Sequence, residues 1–389
     1  MRRCAAVWVA GLFLAGTLAW AAAAGEAKRD DALKAAQKGA EFLAKQQNPD
    51  GSFGSAKGPL VGYTGLVVTA LLESGTAPGG KDGALVKKAV EFILGQKQPD
   101  GSIGMKQLGY MSYETSIAIM ALTAVDKEKH KAEIKKAADY LVGIQDDGSK
   151  TPGSKGGIGY GSDKTNSNLS TTHYALQALK DAGVPEDSPV WKNAVAFVAA
   201  CQNNSETNTA AWAAAANDGG FIYSPKPESK AGEIEVRGKK GWRSYASMTY
   251  AGYLSYVYAK LGNDDPRVKA ALKWISENYS LDENPGVKDQ GLYYYYLTFA
   301  TAMVARGEPG LKDKDGKEHL WAPELAGKLI SLQSEDGSWL NKSDRWEEGD
   351  KIICTAYAVR ALGKALKFMK AEAAAPAKDP TASAVDRAL

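Results

Sequence analysis

The chain has 389 residues, of which 44% are hydrophobic, so it can bury a core large enough for one or two ordinary domains. Its 48 lysines and arginines face 45 aspartates and glutamates, which gives a formal net charge of +3. This near-balance excludes the strongly basic surface typical of nucleic-acid binding and offers little attraction to an anionic membrane. Three cysteines are too few for a disulfide-built scaffold.

The first segment of the chain is typical of an export signal. Two arginines supply positive charge, residues 7–19 are apolar, and small residues follow up to Ala24. We therefore expect residues 1–24 to be a signal peptide and the protein to be exported through the secretory pathway, to a periplasmic or extracellular location. We expect no integral membrane association unless this segment is retained as an anchor, an alternative that the lack of charge between Cys4 and Ala24 leaves open.

A unit of two helices recurs six times between residues 25 and 370. The turn inside the unit carries a Gln, an Asp-Gly and an aromatic or apolar residue, most clearly at residues 47–53, 98–103 and 333–339. First helices have apolar residues at i, i+3, i+4 spacing, whereas second helices are apolar almost all round. Because a helix pair cannot bury its apolar face alone, copies must stack on their neighbours. We predict an all-α, single-domain (α/α)6 toroid of six helical hairpins, with inner and outer rings.

The second helices share a column of residues near their starts: Thr64, Thr115, Thr172, Thr249, Tyr296 and Thr355. We interpret these hydroxyls as caps that satisfy free amides at helix N-termini. Parallel inner helices would place their N-termini, and the partial positive charge of their dipoles, at one mouth of the toroid. Ligand chemistry is expected at that mouth.

Two insertions and a tail depart from the repeat. Residues 153–168 are rich in glycine but follow a helix, so the context excludes a dinucleotide-binding loop. The longer insertion, at about 203–242, is predicted to contain a small β-hairpin formed by residues 219–223 and 233–236, and to lie on the mouth side. Residues 371–389 are rich in Ala, Pro and Lys, and we expect a disordered tail.

The Gln-x-x-x-Gly-x-Trp/Phe pattern at residues 47–53 and 333–339 resembles the repeats of squalene-hopene cyclases and related terpene cyclases. The β subunits of protein prenyltransferases share that toroid, and the resemblance covers about residues 31–366. In the family, the glutamine and the aromatic residue tie repeats together, so the motif stabilises the fold. Here Lys97 replaces the glutamine of repeat 2, and repeats 4 and 5 are interpreted as having lost most of the motif.

The resemblance implies a central cavity that binds, and either holds or transforms, an isoprenoid-like or amphipathic small molecule. The sequence lacks the D-x-D-D segment that supplies the acid of the cyclases and the D-D-x-x-D run that holds magnesium on a diphosphate. The zinc ligands of the prenyltransferases and the Gly-Cys-Gly-Glu-Gln of thioester proteins are also missing. We therefore expect no metal site and no cofactor, and the sequence leaves open whether the protein is an enzyme.

Two residues at the expected mouth are candidates for catalysis. Glu114 and His173 stand near the starts of adjacent inner helices, where a carboxylate and an imidazole could transfer protons. The alternative is that Glu114 merely favours a helix N-terminus and that His173 is an ordinary buried residue.

Six further residues of the same region are candidates for ligand binding: Tyr63, Tyr113, Tyr245, Tyr295, Cys354 and Trp346. Aromatic rings can stabilise a cation through their π faces or simply fill the axis of the toroid. A run of four tyrosines adds hydroxyls, which favours a partly polar ligand. Two other functions stay open: a polysaccharide lyase-like carbohydrate-active enzyme, because such enzymes also use α/α toroids, and a non-catalytic binding or scaffold toroid.

Overall fold

The computed structural model describes residues 27–54, 58, 60–150, 153–226 and 229–369. The predicted signal peptide (1–24) and tail (371–389) lie outside the described residues. In the part of the chain that is described, no helix is both long and apolar enough to cross a membrane.

Twelve of the helices alternate between an outer and an inner ring, and all labels follow chain order. The outer helices are α1 (Arg29–Ala44), α3 (Ala84–Gly95), α5 (Lys131–Gly143), α7 (Pro189–Ala200), α10 (Pro266–Glu277) and α12 (Trp321–Leu332). The inner helices are α2 (Leu60–Glu73), α4 (Met111–Asp126), α6 (Leu169–Ala182), α9 (Ala246–Tyr258), α11 (Leu292–Arg306) and α13 (Lys351–Leu366).

The inner helices form a closed ring. Each contacts the next in the order α2, α4, α6, α9, α11 and α13, and α13 packs back against α2. The outer helix α1 also packs against α13, so the first and last repeats are neighbours. These contacts confirm the predicted all-α toroid of six helical hairpins.

Burial follows the difference in helix composition. Every residue of α2 from Leu60 to Leu71 is buried, as expected for an inner helix that is surrounded by protein on all sides. In α1 the buried residues occupy one face and are mostly small, which lets the helix approach the ring closely. A Cβ at Gly39 of α1 would lie 2.5 Å from Cγ2 of Val359 on α13.

The longer insertion contains a short helix, α8 (Ala211–Ala216), and an antiparallel hairpin of β1 (Glu233–Val236) and β2 (Lys239–Trp242) in which Glu233 pairs with Trp242. Residues 233–236 therefore form a hairpin strand as predicted, but the predicted pairing with residues 219–223 is wrong. Phe221 instead forms an isolated antiparallel bridge with Gln202. A second hairpin, β3 (Gly310–Lys312) with β4 (Glu318–Leu320), connects α11 to α12 and was not predicted. Its strands have three residues each, too few for a pattern of period two to emerge.

Where the motif glutamine is kept, it links its repeat to the next outer helix. Nε2 of Gln47 donates to the carbonyl oxygens of Gly51 in its own turn (3.1 Å) and Leu85 of α3 (2.9 Å). Nε2 of Gln333 donates to Gly337 (3.0 Å) and to Ala35 of α1 (2.9 Å), which closes the ring.

Repeat 4 keeps this link, so the interpretation that it had lost most of the motif is wrong. Nε2 of Gln202 donates to the carbonyl oxygens of Gly219 and Arg267, both at 2.9 Å. The inserted residues separate the glutamine from its glycine in sequence but not in space. In repeat 2, Nζ of Lys97 instead lies 3.3 Å from Oε1 of Glu133 on α5, so an ion pair replaces the amide link.

The threonine column also has a different role from the predicted one. Oγ1 of Thr355 accepts a hydrogen bond from the backbone N–H of Trp339 (3.0 Å), and Thr64 accepts one from Phe53 (3.0 Å). Thr115, Thr172 and Thr249 accept equivalent bonds at 2.9 to 3.1 Å. The hydroxyl thus fixes the preceding turn onto the inner helix and does not cap the helix. Tyr296 differs, because its hydroxyl donates to the carbonyl of Leu281 (2.7 Å).

Candidate functional site

The N-termini of the six inner helices meet at one end of the toroid, where acceptors of the protein satisfy their amides. Oε1 of Glu114, on α4, accepts from Val61 at the start of α2 (3.1 Å). Glu348 accepts from Tyr293 (3.2 Å) and Tyr294 (2.8 Å) at the start of α11. These three amides are therefore already satisfied within the protein and are not available to an anionic ligand.

The other four N-termini follow the same rule. Loop carbonyls from the next repeat accept at three of them: Tyr160 from Ser112 of α4, Tyr223 from Leu169 of α6, and Pro285 from Ala246 of α9. The side chain of Asp350 accepts from Ile352 of α13 (2.6 Å). Every inner helix therefore has at least one of its first amides bound within the protein.

A cavity of about 240 Å³ opens at this end of the ring. Its wall contains nine tyrosines and one tryptophan, together with a few aliphatic and hydroxyl side chains. Among the described residues that line the cavity, one is acidic, Glu347, and none is basic. The aromatic residues are Tyr63, Tyr110, Tyr113, Tyr160, Tyr174, Tyr223, Tyr245, Tyr294, Tyr357 and Trp346.

The deeper part of the cavity is a cluster of four tyrosines. The rings of Tyr113 and Tyr174 meet edge to face with centroids 4.7 Å apart, and Tyr174 stacks on Tyr294 at 6.0 Å. The hydroxyl oxygens of Tyr113 and Tyr357 are 3.4 Å apart. The buried hydroxyls of Tyr174 and Tyr294 make no hydrogen bond of good geometry, although the hydroxyls of Tyr113 and Ser170 are their respective neighbours. This cluster therefore combines π faces with hydroxyl groups that are available to a ligand.

These tyrosines are neutral at physiological pH, as an ordinary tyrosine is, and burial makes their ionisation still less favourable. It raises the pKa of Tyr113 to about 12 and the pKa of Tyr174, Tyr294 and Tyr357 well above the ordinary value of 10. Their hydroxyls can donate or accept a hydrogen bond, but they are poor general bases.

The rim of the cavity is more exposed. Tyr110, 41% exposed, packs edge to face against Tyr160, whose hydroxyl lies 2.9 Å from that of Tyr223. Trp346, 39% exposed, has the guanidinium of Arg345 4.6 Å from its ring centroid. Trp346 and Glu347 both adopt left-handed backbone conformations, with φ of 59° and 65°. Consecutive positive φ values in non-glycine residues indicate strain, which proteins hold mostly at functional positions.

The structure places four of the six ligand-binding candidates in the cavity wall: Tyr63, Tyr113, Tyr245 and Trp346. The other two do not line it. Tyr295 is completely buried in the core, where its hydroxyl donates to the carbonyl of Ser280 (2.5 Å). Cys354 is also buried, and its Sγ donates to the carbonyl of Glu348 (3.1 Å). Burial raises the pKa of Cys354, which disfavours the thiolate.

Glu114 and His173 do not line the cavity either, and their contacts lie in different directions. Glu114 is bound by amides of α2 and of the loop before α4, with Oε2 accepting from Met105 (2.9 Å). His173 stacks on Tyr258 of α9 with ring centroids 5.8 Å apart. Burial lowers the pKa of His173 to about 3, so the imidazole is neutral near pH 7. The structure thus does not bring the two side chains together, and it gives Glu114 a capping role.

Sequence reasoning missed several residues of the wall: Tyr160, Tyr223, Tyr357 and Glu347. Tyr160 and Tyr223 each stand two positions after the apolar residue of a motif, Ile158 and Phe221. Inserted residues separate these apolar residues from the glutamines of their motifs, so the sequence pattern did not align the two tyrosines. Within the described part of the chain, no group of three or more His, Cys, Asp or Glu residues is arranged to hold a metal ion.

Comparison with known proteins supports the architecture. The family model of the squalene-hopene cyclase C-terminal domain matches residues 57–222. The fold is a toroid similar to that of squalene-hopene cyclases. None of the curated proteins matches it in sequence.

Among solved structures, the type II terpene cyclase MstE from Scytonema, in complex with its product merosterolic acid A, has a TM-score of 0.55 and 13% identity. That match covers 87% of this chain and 98% of the cyclase. A complex of MstE with its substrate, geranylgeranyl dihydroxybenzoate, has a TM-score of 0.54 and 12% identity over the same shares. A protein from Actinoplanes has a TM-score of 0.51 and 14% identity, with 86% and 99% covered. At these identities the likeness shows the fold alone.

Proposed function

We propose that this toroid is exported and binds an isoprenoid-like or other amphipathic small molecule in its tyrosine-lined cavity, without cyclising it. The observation that carries the proposal is the wall itself, in which ten aromatic rings surround one opening at the N-terminal end of the inner ring. Such rings give a ligand a large apolar contact area, and their hydroxyls orient its polar end. The complexes of MstE with a prenylated substrate and with its product add support by analogy.

The site lacks the chemistry for protonating an alkene. The sequence has no D-x-D-D segment, and the carboxylate of Glu347 stands at the exposed rim of the cavity. Glu114 and His173 are outside the wall, and the imidazole of His173 is neutral near pH 7. Binding without cyclisation is therefore the function that the geometry supports best.

A polysaccharide lyase has less support. Such an enzyme requires a base near the sugar ring, and the buried tyrosines of this cavity have raised pKa values. A cavity of about 240 Å³ is also smaller than the roughly 300–1,000 Å³ of most small-molecule sites. It can enclose one end of an amphipathic ligand while the rest extends past the rim.

The experiment is a binding titration with geranylgeraniol, followed by tryptophan fluorescence, on the protein and on a variant whose cavity is filled. Ser170→Trp introduces a large ring at a half-buried position of the wall. Ser331→Trp is the matched control, because it adds the same ring to an exposed position of the outer helix α12. We expect saturable binding that Ser170→Trp weakens at least tenfold and Ser331→Trp leaves unchanged. Equal binding by all three proteins would refute the cavity as the site.

A further inference from the structure

We propose that the cavity selects organic cations, so that its amphipathic ligand carries an ammonium head group that binds between the tyrosine cluster and the rim residues Trp346 and Glu347. This inference rests on the proposed function and specifies the ligand class of the same site. It follows from three features of the wall: its aromatic faces, the sign of its charge and the occupied helix N-termini.

Aromatic faces attract cations because the ring quadrupole places negative charge above and below the ring plane. Trp346 shows this at the rim, where the guanidinium of Arg345 lies 4.6 Å from the ring centroid. Nζ of Lys230 lies 5.0 Å from the ring centroid of Tyr223, another rim residue. Tyr113, Tyr174 and Tyr294 form the deeper part of the same surface, so a cation that enters the cavity is surrounded by rings on several sides.

The charged side chains of the wall also favour a cationic ligand. Glu347 supplies a carboxylate, and no lysine, arginine or histidine belongs to the described wall. The cationic groups of Arg345 and Lys230 lie over rings of the rim, and neither residue lines the cavity. A ligand cation would therefore meet one opposite charge and many ring faces, whereas an anion would meet no positive side chain inside the cavity.

The helix N-termini do not reverse this preference. Six N-termini at one mouth could form an anion site if their amides pointed freely into it. Here Glu114, Glu348 and Asp350 accept amide hydrogen bonds of three of these helices, and loop carbonyls accept those of the other three. These acceptors occupy at least one of the first amides of each inner helix, which leaves fewer donors for an anion, and the carboxyl side chains oppose the helix dipoles.

The test compares two probes of the same shape. Choline carries a trimethylammonium group, and 3,3-dimethylbutan-1-ol replaces its charged nitrogen with carbon. Binding is measured by isothermal titration calorimetry on the full folded protein, with hexanoate as an anionic probe. Cation–π contacts of about 0.5–2 kcal/mol each predict that choline binds at least about tenfold more tightly than the alcohol. Hexanoate is expected to bind more weakly than choline.

Two variants test the assignment to the rim. Trp346→Leu keeps apolar area but removes the ring, and Glu347→Gln removes the charge at nearly the same size. Each should reduce the preference for choline over the alcohol severalfold. The control is Glu128→Gln, which should not change the preference, because the Glu128 side chain is 79% exposed and lies outside the cavity wall. Unaltered circular dichroism spectra will establish that the variants are folded.

The outcomes separate this inference from the proposed function. If geranylgeraniol binds but choline and the alcohol bind equally, or hexanoate binds more tightly than choline, the preference for cations is refuted and the proposed function stands. If geranylgeraniol, choline and the alcohol all fail to bind, both are refuted. A preference for choline that persists in both rim variants would also overturn the inference.

Discussion

Replacing one threonine of the inner ring tests how the turns are held to the toroid. Thr355 is completely buried, and its Oγ1 accepts from the buried backbone N–H of Trp339 at 3.0 Å. Valine has nearly the same shape but no acceptor. In Thr355→Val the amide of Trp339 would remain buried without a partner, because the surrounding side chains exclude water.

The magnitude follows from the cost of that unsatisfied donor. Leaving a buried amide unpaired costs about 1–3 kcal/mol, since its hydrogen bond to water in the unfolded chain has no counterpart in the folded one. The extra methyl group offsets only part of this, because it enters a site shaped for a hydroxyl. We expect Thr355→Val to lower the free energy of unfolding by about 1–3 kcal/mol.

Thr69→Val is the matched control. Thr69 is on the inner helix α2 and 2% exposed, but its Oγ1 donates to the carbonyl of Gly65 (2.6 Å), one turn earlier in the same helix. Valine there leaves no amide unpaired, so the loss should stay below about 1 kcal/mol. Urea unfolding followed by circular dichroism measures both variants. Equal losses of stability would show that the hydroxyl of Thr355 does not hold the turn.

Three further results are expected. The pKa of Glu348 is raised from 4.5 to about 7, chiefly by burial. The stability that its protonated form contributes is therefore complete below pH 4.5 and is lost as the pH rises to about 7. In thermal melts from pH 4.5 to 8, Glu348→Gln should remove that decline. Glu73→Gln should cost about 3–5 kcal/mol in urea unfolding, because it leaves the buried cations of Arg360 and Lys364 without their carboxylate partner; a loss below 1 kcal/mol would contradict this. Geranylgeraniol incubated with the protein should be recovered unchanged by gas chromatography and mass spectrometry, and a cyclised product would refute binding without cyclisation.

The fold could be predicted because the repeats carry their signals locally. Apolar residues all round the inner helices and on one face of the outer helices indicate two rings, and a motif shared by distant repeats indicates that those repeats occupy equivalent positions. The motif of repeat 4 was missed because 16 residues separate Gln202 from Gly219, whereas three separate the glutamine from the glycine in repeat 1. The hydrogen bonds of Gln202 depend on its position in space and survive the insertion.

The candidate site was predictable in place but only partly in composition. Counting from the threonine column identifies one end of the ring, and Tyr63 and Tyr113 of that end do line the cavity. The column could not separate side chains that face the axis from those that face a neighbouring helix. Tyr295 occupies the same column position as Tyr63, yet its hydroxyl reaches the loop carbonyl of Ser280. That choice depends on packing between repeats.

The two insertions bring cavity-lining side chains to the mouth and fix them there by their own backbone. The carbonyl of Tyr160 accepts from Ser112 at the start of α4, and the carbonyl of Tyr223 accepts from Leu169 at the start of α6. The same two residues present their rings to the cavity, with their hydroxyls 2.9 Å apart. A helix N-terminus needs an acceptor, so the hydrogen bond that completes the helix also positions the ring. The rim is therefore formed before a ligand arrives, and binding needs little additional ordering of the loops.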